Sequence, residues 1–303
     1  MYRTEARRTI LLTLSLSLWA LIGRAQDPLP CRFVHELVTL RVPLPCEDTL
    51  RFYLDTGGID ALYRSGRRRI CPSKHQDHLV VAESAVSNGI PWPAGLELQR
   101  IKESERGWDG MLGRGWFREG RWCFDYAGGT LTPVAGDKVP AGERIPLGRH
   151  QAANTAGPML RIPVTIDGDT TQLLFDTGAR FIDESSVPRA TSFITDSLFT
   201  KWRGEHPEWS IIPAADHSVR PAADQIVVPV VTIGSRSIGP VAFTVRAKEN
   251  FEVLSRHFMD RPVVGALGAN ALSQLGTFIL DMTAAQLVLI GAPVPPPMND
   301  QFR

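Results

Sequence analysis

Two short segments of the sequence place an aspartate directly after an apolar run and follow it with threonine and glycine. They are RFYLDTGGI at 51–59 and LLFDTGARF at 173–181, which contain Asp55 and Asp176. A carboxylate at the end of an apolar strand is costly unless neighbouring groups satisfy it or a reaction uses it. If the two turns meet, both carboxyl groups cannot ionise together. Such a pair holds one proton, so it can act as acid and base at once.

The segments around the two aspartates repeat one order of elements. A predicted hairpin precedes each aspartate, and the second hairpin carries a strong turn signal, Asp-Gly at 167–168. The elements GMLG at 110–113 and GALG at 265–268 follow, and each leads to a strand that carries an aspartate, Asp125 or Asp281. We expect these later aspartates to sit in turns. The repeat covers most of the chain, so it governs the prediction of the fold.

This pattern resembles the pepsin-like and retropepsin-like aspartic peptidases. Each lobe in that family has an apolar strand ending in Asp-Thr/Ser-Gly and a later apolar-apolar-Gly element. The resemblance implies a mostly β, two-lobed acid-protease fold with pseudo-twofold symmetry. It implies that Asp55 and Asp176 are catalytic and hold a water, and that the two threonines interlock the lobes. The supporting residues of the two turns are Thr56, Gly57, Thr177 and Gly178.

The sequence departs from the family pattern in the first lobe. Gly58 stands where the family usually has serine or alanine, and the segment expected to form the flap has no tyrosine. We expect this flap, a hairpin over the substrate cleft, at residues 80–97, with a strand at 78–84. The candidate flap residues are Ser87, Asn88, Gly89 and Trp92.

The first 25 residues have the pattern of a secretory signal peptide. Arginines at the start are followed by an uncharged run at 9–23, which is shorter than the roughly 20 residues of a membrane span. A retained anchor is the alternative. The insert in the second lobe contains a helical candidate at 185–202. The predicted organisation is a signal peptide at 1–25, a first lobe at 26–134, a linker at 135–160, a second lobe at 161–291 with an insert at 184–225, and a flexible tail at 292–303.

The charge of the chain gives no support for binding to nucleic acid. The 303 residues have a formal net charge of +1, and removing residues 1–25 takes away four arginines and one glutamate, so that +1 − 4 + 1 gives −2. There is no basic stripe of the kind that binds phosphate backbones. We expect a peptide or protein substrate, no nucleic-acid partner, no membrane contact after signal removal, and a monomer, since both carboxylates lie on one chain.

The cysteines favour disulfides over a metal site. An even number of cysteines in an exported protein suggests disulfides, and the sequence leaves all three pairings open. The cysteines are Cys31, Cys46, Cys71 and Cys123. A metal site at Cys71, His75 and His78 would lack a clear fourth ligand. We therefore expect no metal and no cofactor.

Two functions remain open from the sequence. The first is an exported aspartic endopeptidase, periplasmic or secreted, in which the two carboxylates activate a water for hydrolysis of peptide bonds. The second is a binding protein of the same fold that binds a peptide or glycan without cutting it, since a fold does not determine a function.

Overall fold

Most of each predicted lobe lies within the part of the chain that the structure describes. This computed structural model describes residues 27–70, 76–105, 107–135, 139–149 and 157–291. Within these ranges the chain is mostly β, as the hydrophobic alternation and turn signals predicted. The predicted signal peptide and tail lie outside the described residues and stay predictions.

The described residues before 150 form short strands and three helices. The strands are β1 (Cys31–Val34), β2 (Leu37–Pro43), β3 (Thr49–Leu54), β4 (Ala61–Leu62), β5 (Gln99–Arg100), β6 (Gly110–Leu112), β7 (Arg121–Asp125), β8 (Thr130–Pro133), β9 (Glu143–Pro146) and β10 (Gly148–Arg149). The helices are α1 (Arg64–Arg69), α2 (Asp77–Ser87) and α3 (Arg114–Phe117).

The described residues from 157 onward contain longer strands and three more α-helices. The strands are β11 (Leu160–Ile166), β12 (Asp169–Phe175), β13 (Arg180–Ile182), β14 (Pro188–Ala190), β15 (Ser192–Thr195), β16 (Ile211–Asp216), β17 (Ala223–Val228), β18 (Val231–Ile233), β19 (Arg236–Ile238), β20 (Val241–Arg246), β21 (Gly265–Leu267), β22 (Thr277–Asp281) and β23 (Gln286–Ile290). The helices are α4 (Asp196–Glu205), α5 (Lys248–Phe258), α6 (Ala269–Leu272) and a 3₁₀ turn at Ser273–Leu275.

Two sheets repeat one pairing pattern around the two Asp-Thr-Gly turns. In the first, ordered β1-β2-β3-β6-β4-β5, strand β3 runs parallel to β6, and β4 is antiparallel to β6. In the second, β12 runs parallel to β21, and β15 is antiparallel to β21. Each aspartate therefore follows a strand that lies beside the strand of its own Gly-apolar-Leu-Gly element.

A third sheet joins strands from both parts of the chain. Its order is β8-β7-β22-β23-β9, so the strand after the first repeat pairs with the strand after the second. Phe124 and Phe278 lie opposite each other there, and their rings stack at 5.2 Å between centroids. Strand β9 comes from the predicted linker, so part of the linker is built into this sheet.

The hairpin before Asp176 forms as predicted. Its turn residues Asp167 and Gly168 both have positive φ, 49° and 81°, which is the backbone that an Asp-Gly turn favours. Along β11, apolar residues alternate with partly exposed ones, and Ile162, Val164 and Ile166 face the core. This alternation fixes the register of β11 and β12, and the end of β12 then pairs with β21.

The strand expected at 78–84 is wrong, because this segment belongs to helix α2. The buried residues of α2 are Val80, Val81, Ser84 and Ala85, a spacing that places them on one face of a helix. Segment 80–97 is therefore a helix and a loop, not the hairpin flap that we expected. Of the candidate flap residues, Ser87 ends α2, Asn88 and Gly89 follow it, and Trp92 packs against the core.

The helix expected at 185–202 is only partly correct. Helix α4 begins at Asp196, capped by the Thr195 hydroxyl, which accepts from the Leu198 N–H at 3.3 Å. The residues before it form β14 and β15, since Pro188 and the β-branched residues near it favour extended backbone. The insert thus contributes β15, β16 and the start of β17 to the second sheet, whereas β14 pairs with β13 in a separate two-stranded sheet.

The cysteines meet the expectation of two disulfides only in part, since Cys46 is disulfide-bonded. Cys31 and Cys123 carry free thiols, and burial raises the pKa of the Cys31 thiol to about 12. Cys71 lies outside the described residues. No helix in the described part of the chain is long and apolar enough to cross a lipid bilayer.

Candidate functional site

Each aspartate is anchored through its backbone to the Gly-apolar-Leu-Gly element of its own repeat. The Asp55 N–H donates to the Leu112 carbonyl at 3.0 Å, and the Asp176 N–H donates to the Leu267 carbonyl at 3.1 Å. These are matching bonds in the two repeats. The parallel strand beside each turn therefore holds the aspartate at a defined position.

The two turns bring Asp55 and Asp176 together. Their carboxyl groups share a hydrogen bond, and each also accepts from the glycine two residues later. The Gly57 N–H bonds Asp55 Oδ1, and the Gly178 N–H bonds Asp176 Oδ1, both at 3.0 Å. The structure thus places side by side the two carboxyl groups that the sequence repeat singled out.

Hydrogen bonds of the two threonines link one turn to the other. The Thr56 hydroxyl accepts from the Thr177 N–H at 3.0 Å and donates to the Phe175 carbonyl at 3.1 Å. In return, the Thr177 hydroxyl accepts from the Thr56 N–H at 3.1 Å and donates to the Leu54 carbonyl at 3.5 Å. Both side chains are buried, so the four bonds fix one turn against the other.

Burial and proximity make the pair hold a proton more strongly than an ordinary carboxyl. Burial raises the pKa of Asp55. Burial, and then the charge of Asp55, raise the pKa of Asp176 well above its usual range. Two adjacent carboxyl groups in an apolar site cannot both be charged without a large cost. The pair therefore has the shared proton that acid and base catalysis by two carboxyl groups requires.

The raised pKa values predict that this pair costs stability at high pH. A carboxyl whose pKa is raised in the folded state contributes its full stability below the usual carboxyl range and loses it as pH rises. Asp176→Asn removes a carboxyl that would be charged at high pH. The free energy of unfolding of the variant should therefore exceed that of the wild type by about 1–2 kcal/mol at about pH 8. Urea unfolding of both proteins at about pH 4 and about pH 8 measures this. An equal difference at the two pH values would contradict it.

Close packing explains the glycines of the two turns. A Cβ on Gly178 would lie 2.2 Å from Asp55 Cγ, and one on Gly57 would lie 2.8 Å from Asp176 Cγ. A Cβ on Gly58 would lie 2.7 Å from Asp55 Cγ. The glycine at 58, where the family usually has serine or alanine, is therefore required by the packing in this chain.

Gly178→Ala is expected to displace the Asp55 carboxyl and to remove any activity that depends on the pair. The matched control is Gly204→Ala in helix α4, where an added Cβ meets nothing within 4 Å. This control should be as stable as the wild type or slightly more stable, because alanine favours a helix over glycine by about 1 kcal/mol. Thermal unfolding and the activity assay below compare the two variants. Full activity of Gly178→Ala would contradict the packing.

Asp60 is a structural residue of the site that the sequence analysis missed. It is buried, and its carboxylate accepts three backbone N–H groups, from Gly113 at 2.8 Å, Gly115 at 3.0 Å and Trp116 at 3.1 Å. It thereby ties the first turn to the start of α3. A single acid in the apolar stretch GIDALY was the signal that could have found it.

Arg180 is a second residue near the dyad that the sequence analysis missed. Arg180 follows the second Asp-Thr-Gly-Ala directly and contacts Tyr53, Trp108 and Glu105 from the first part of the chain. Arginine after the turn was visible in the sequence, but nothing there indicated which aromatic rings it would meet.

A metal site finds no support among the described residues. In the described ranges, no group of three histidine, cysteine, aspartate or glutamate side chains could hold a metal ion. The alternative at Cys71, His75 and His78 falls mostly outside these ranges, since only His78 is described.

Two solved structures are similar to this chain. The chain is similar to the aspartic proteinase from Irpex lacteus, with a TM-score of 0.50 and 11% identity over 88% of this chain and 98% of that one. A retropepsin-like aspartic protease from Rickettsia conorii matches at a TM-score of 0.32 and 15% identity, over 51% of this chain and 96% of that one. The chain matches no protein-family model and no curated protein. At 11% identity the likeness to the Irpex lacteus proteinase concerns the fold alone.

Proposed function

We propose that this chain is an exported aspartic endopeptidase with two retropepsin-like lobes related by a pseudo-twofold axis. The observation that carries the proposal is the partly buried, hydrogen-bonded pair of Asp55 and Asp176, each at the end of an equivalent strand. The fold likeness and the matching strand pairings around the turns support the two lobes. The predicted signal peptide supports export, to a periplasm or outside the cell.

The pair has the chemistry for hydrolysis of an amide without a covalent intermediate. One carboxylate takes a proton from a water held between the two aspartates, and the water attacks the carbonyl carbon. The other carboxyl gives its proton to the carbonyl oxygen, which forms a tetrahedral diol. The diol then collapses: the carboxyl that took the proton of the water gives it to the amide nitrogen, the C–N bond breaks, and the carboxylate that gave up its proton takes one back from a diol hydroxyl. The products are a carboxylic acid and an amine, and the pair again holds one proton. The shared proton belongs to the pair, so neither aspartate is assigned a separate role.

The proposed two-lobed fold supports an extended peptide as the substrate class. A cleft between two β lobes suits an extended peptide, whose backbone can pair with strand edges while alternate side chains enter pockets. Both carboxyl groups lie on one chain, so catalysis needs no second copy.

A binding protein is the second candidate, and one observation favours it. Helix α2 and a loop stand where a hairpin flap was expected, so the chain lacks the expected grip on a substrate backbone at 80–97. A binding protein would retain its ligand after both carboxylates are replaced by asparagine.

Peptide cleavage tests the proposal against this alternative. A mixed peptide library is incubated with the wild type at about pH 3–7, with and without a statine-type inhibitor, and new termini are identified by mass spectrometry. We expect cleavage that the inhibitor suppresses. The binding protein would be supported instead by two results together: a folded wild type that leaves every peptide intact, and a double asparagine variant that still binds some of the peptides.

A further inference from the structure

Arg180 connects the second catalytic turn to the first part of the chain. Its guanidinium carbon lies 4.8 Å from the centre of the Tyr53 ring and 5.2 Å from the centre of the Trp108 ring. Its Nη2 donates to Glu105 Oε2 at 3.0 Å, and only 22% of its side chain is exposed. A partly desolvated cation over two aromatic faces is held in place more firmly than a surface arginine.

Tyr53 passes this contact on to the dyad. Its ring is fully buried, and its hydroxyl donates to the Gly178 carbonyl. Gly178 in turn packs directly against the Asp55 carboxyl, so closely that a Cβ there would be 2.2 Å from Asp55 Cγ. A continuous chain of contacts therefore runs from Arg180 through Tyr53 and Gly178 to one member of the dyad.

Arg180 is a cation whose charge acts on both carboxyl groups of the dyad. Burial raises the pKa of the phenol of Tyr53 well above its usual range and that of Tyr63 to about 12, so both are neutral. Outside the dyad, Glu105 is the acid that pairs with Arg180. The charge of Arg180 lowers the pKa of both aspartates, against the effect of burial.

We propose that Arg180 is a positioning residue of the dyad, which locks Tyr53 between the two turns and supplies a fixed positive charge beside both carboxyl groups. This inference rests on the proposed peptidase function. The charge favours the singly ionised pair over the fully protonated one, and the stacking keeps Gly178 pressed on Asp55.

The pH profile of cleavage distinguishes this role from a purely structural one. Arg180→Met keeps the apolar stem and removes the charge, so the acid limb of kcat/KM should move up by about one pH unit. Arg180→Lys keeps the charge and loses the planar stacking group, so it should lower kcat and leave the acid limb in place. An Arg180→Met profile with the wild-type acid limb would overturn the proposal.

Glu105→Gln is a second variant, for which the acid limb is not expected to move up. It removes a negative charge from the network, so the acid limb should stay in place or move to lower pH. This variant keeps the proposal falsifiable if Arg180→Met does not fold. An upward shift in Glu105→Gln would count against it.

A titration that needs no cleavage separates this inference from the proposed function. The carboxyl carbons of ¹³C-labelled aspartates are followed by NMR against pH, and the dyad signals are assigned by their loss in Asp55→Asn and Asp176→Asn. If the wild type cleaves nothing but the dyad titrates at higher pH in Arg180→Met, the peptidase proposal fails and the role of Arg180 stands. If cleavage occurs and the titration is unchanged, the role of Arg180 fails alone.

Discussion

Replacing Asp55 or Asp176 with asparagine is expected to lower kcat for peptide cleavage by about 10²–10⁴-fold while the protein stays folded. Asparagine has nearly the same shape, and its amide oxygen can still accept the N–H of the glycine two residues later. It cannot hold or release the shared proton, so the water loses its base or the carbonyl loses its acid. Steady-state kinetics on one peptide from the library measures the loss.

The two aspartates should also act as a unit. Residues that share one step are not additive, so the double asparagine variant should be hardly slower than either single variant. Asp125→Asn is the matched control, because Asp125 stands in the other repeated position and accepts the Gly128 N–H in an exposed turn. This control should keep wild-type activity. Wild-type activity in Asp55→Asn would remove the peptidase proposal.

Thr56→Val is expected to cause the largest loss of stability among these substitutions. Valine has the shape of threonine without the hydroxyl, so the Thr177 N–H and the Phe175 carbonyl would both lose their partner in a buried site. Each unpaired buried group costs about 1–3 kcal/mol, so two such groups give a loss of about 2–6 kcal/mol. Urea unfolding followed by tryptophan fluorescence measures it.

Thr56→Ser separates the hydroxyl from the packing of the methyl group. Serine keeps both hydrogen bonds, so this variant should lose about 1 kcal/mol, the cost of one buried methyl group. Thr177→Val should lose less than Thr56→Val, since its bond to the Leu54 carbonyl is long, at 3.5 Å. Equal stability of the valine and serine variants at position 56 would show that the interlocking bonds contribute little.

The sequence predicted the parts of the fold that depend on local pattern. The hairpin at Asp167-Gly168 formed, because these two residues adopt the positive φ that the turn needs. Asp125 and Asp281 both lie beside turns and accept the N–H three residues later, at 2.9 Å. The repeated Asp-Thr-Gly turns met as expected because each copy carried its own supporting strand.

The parts that sequence could not predict depend on contacts between distant residues. The composition of segment 78–84 favours a strand. The segment instead forms helix α2, which packs against β2 of the first sheet. Asp60 had no role in the sequence analysis, because the backbone N–H groups that it accepts come from residues more than 50 positions later in the chain. Arg180 acquired its role from Tyr53 and Trp108, which lie more than 70 residues away in the chain.

The pH dependence of kcat/KM for one cleaved peptide tests the central claim most directly, that one shared proton on Asp55 and Asp176 drives hydrolysis. The raised pKa values predict a bell-shaped profile. Activity falls on the acid side as the pair takes up a second proton, and on the alkaline side as it loses its last one. The alkaline limb should lie well above the usual titration range of aspartate, since the pKa of Asp176 is raised furthest. A rate that rises continuously with pH, with no alkaline limb, would contradict the account.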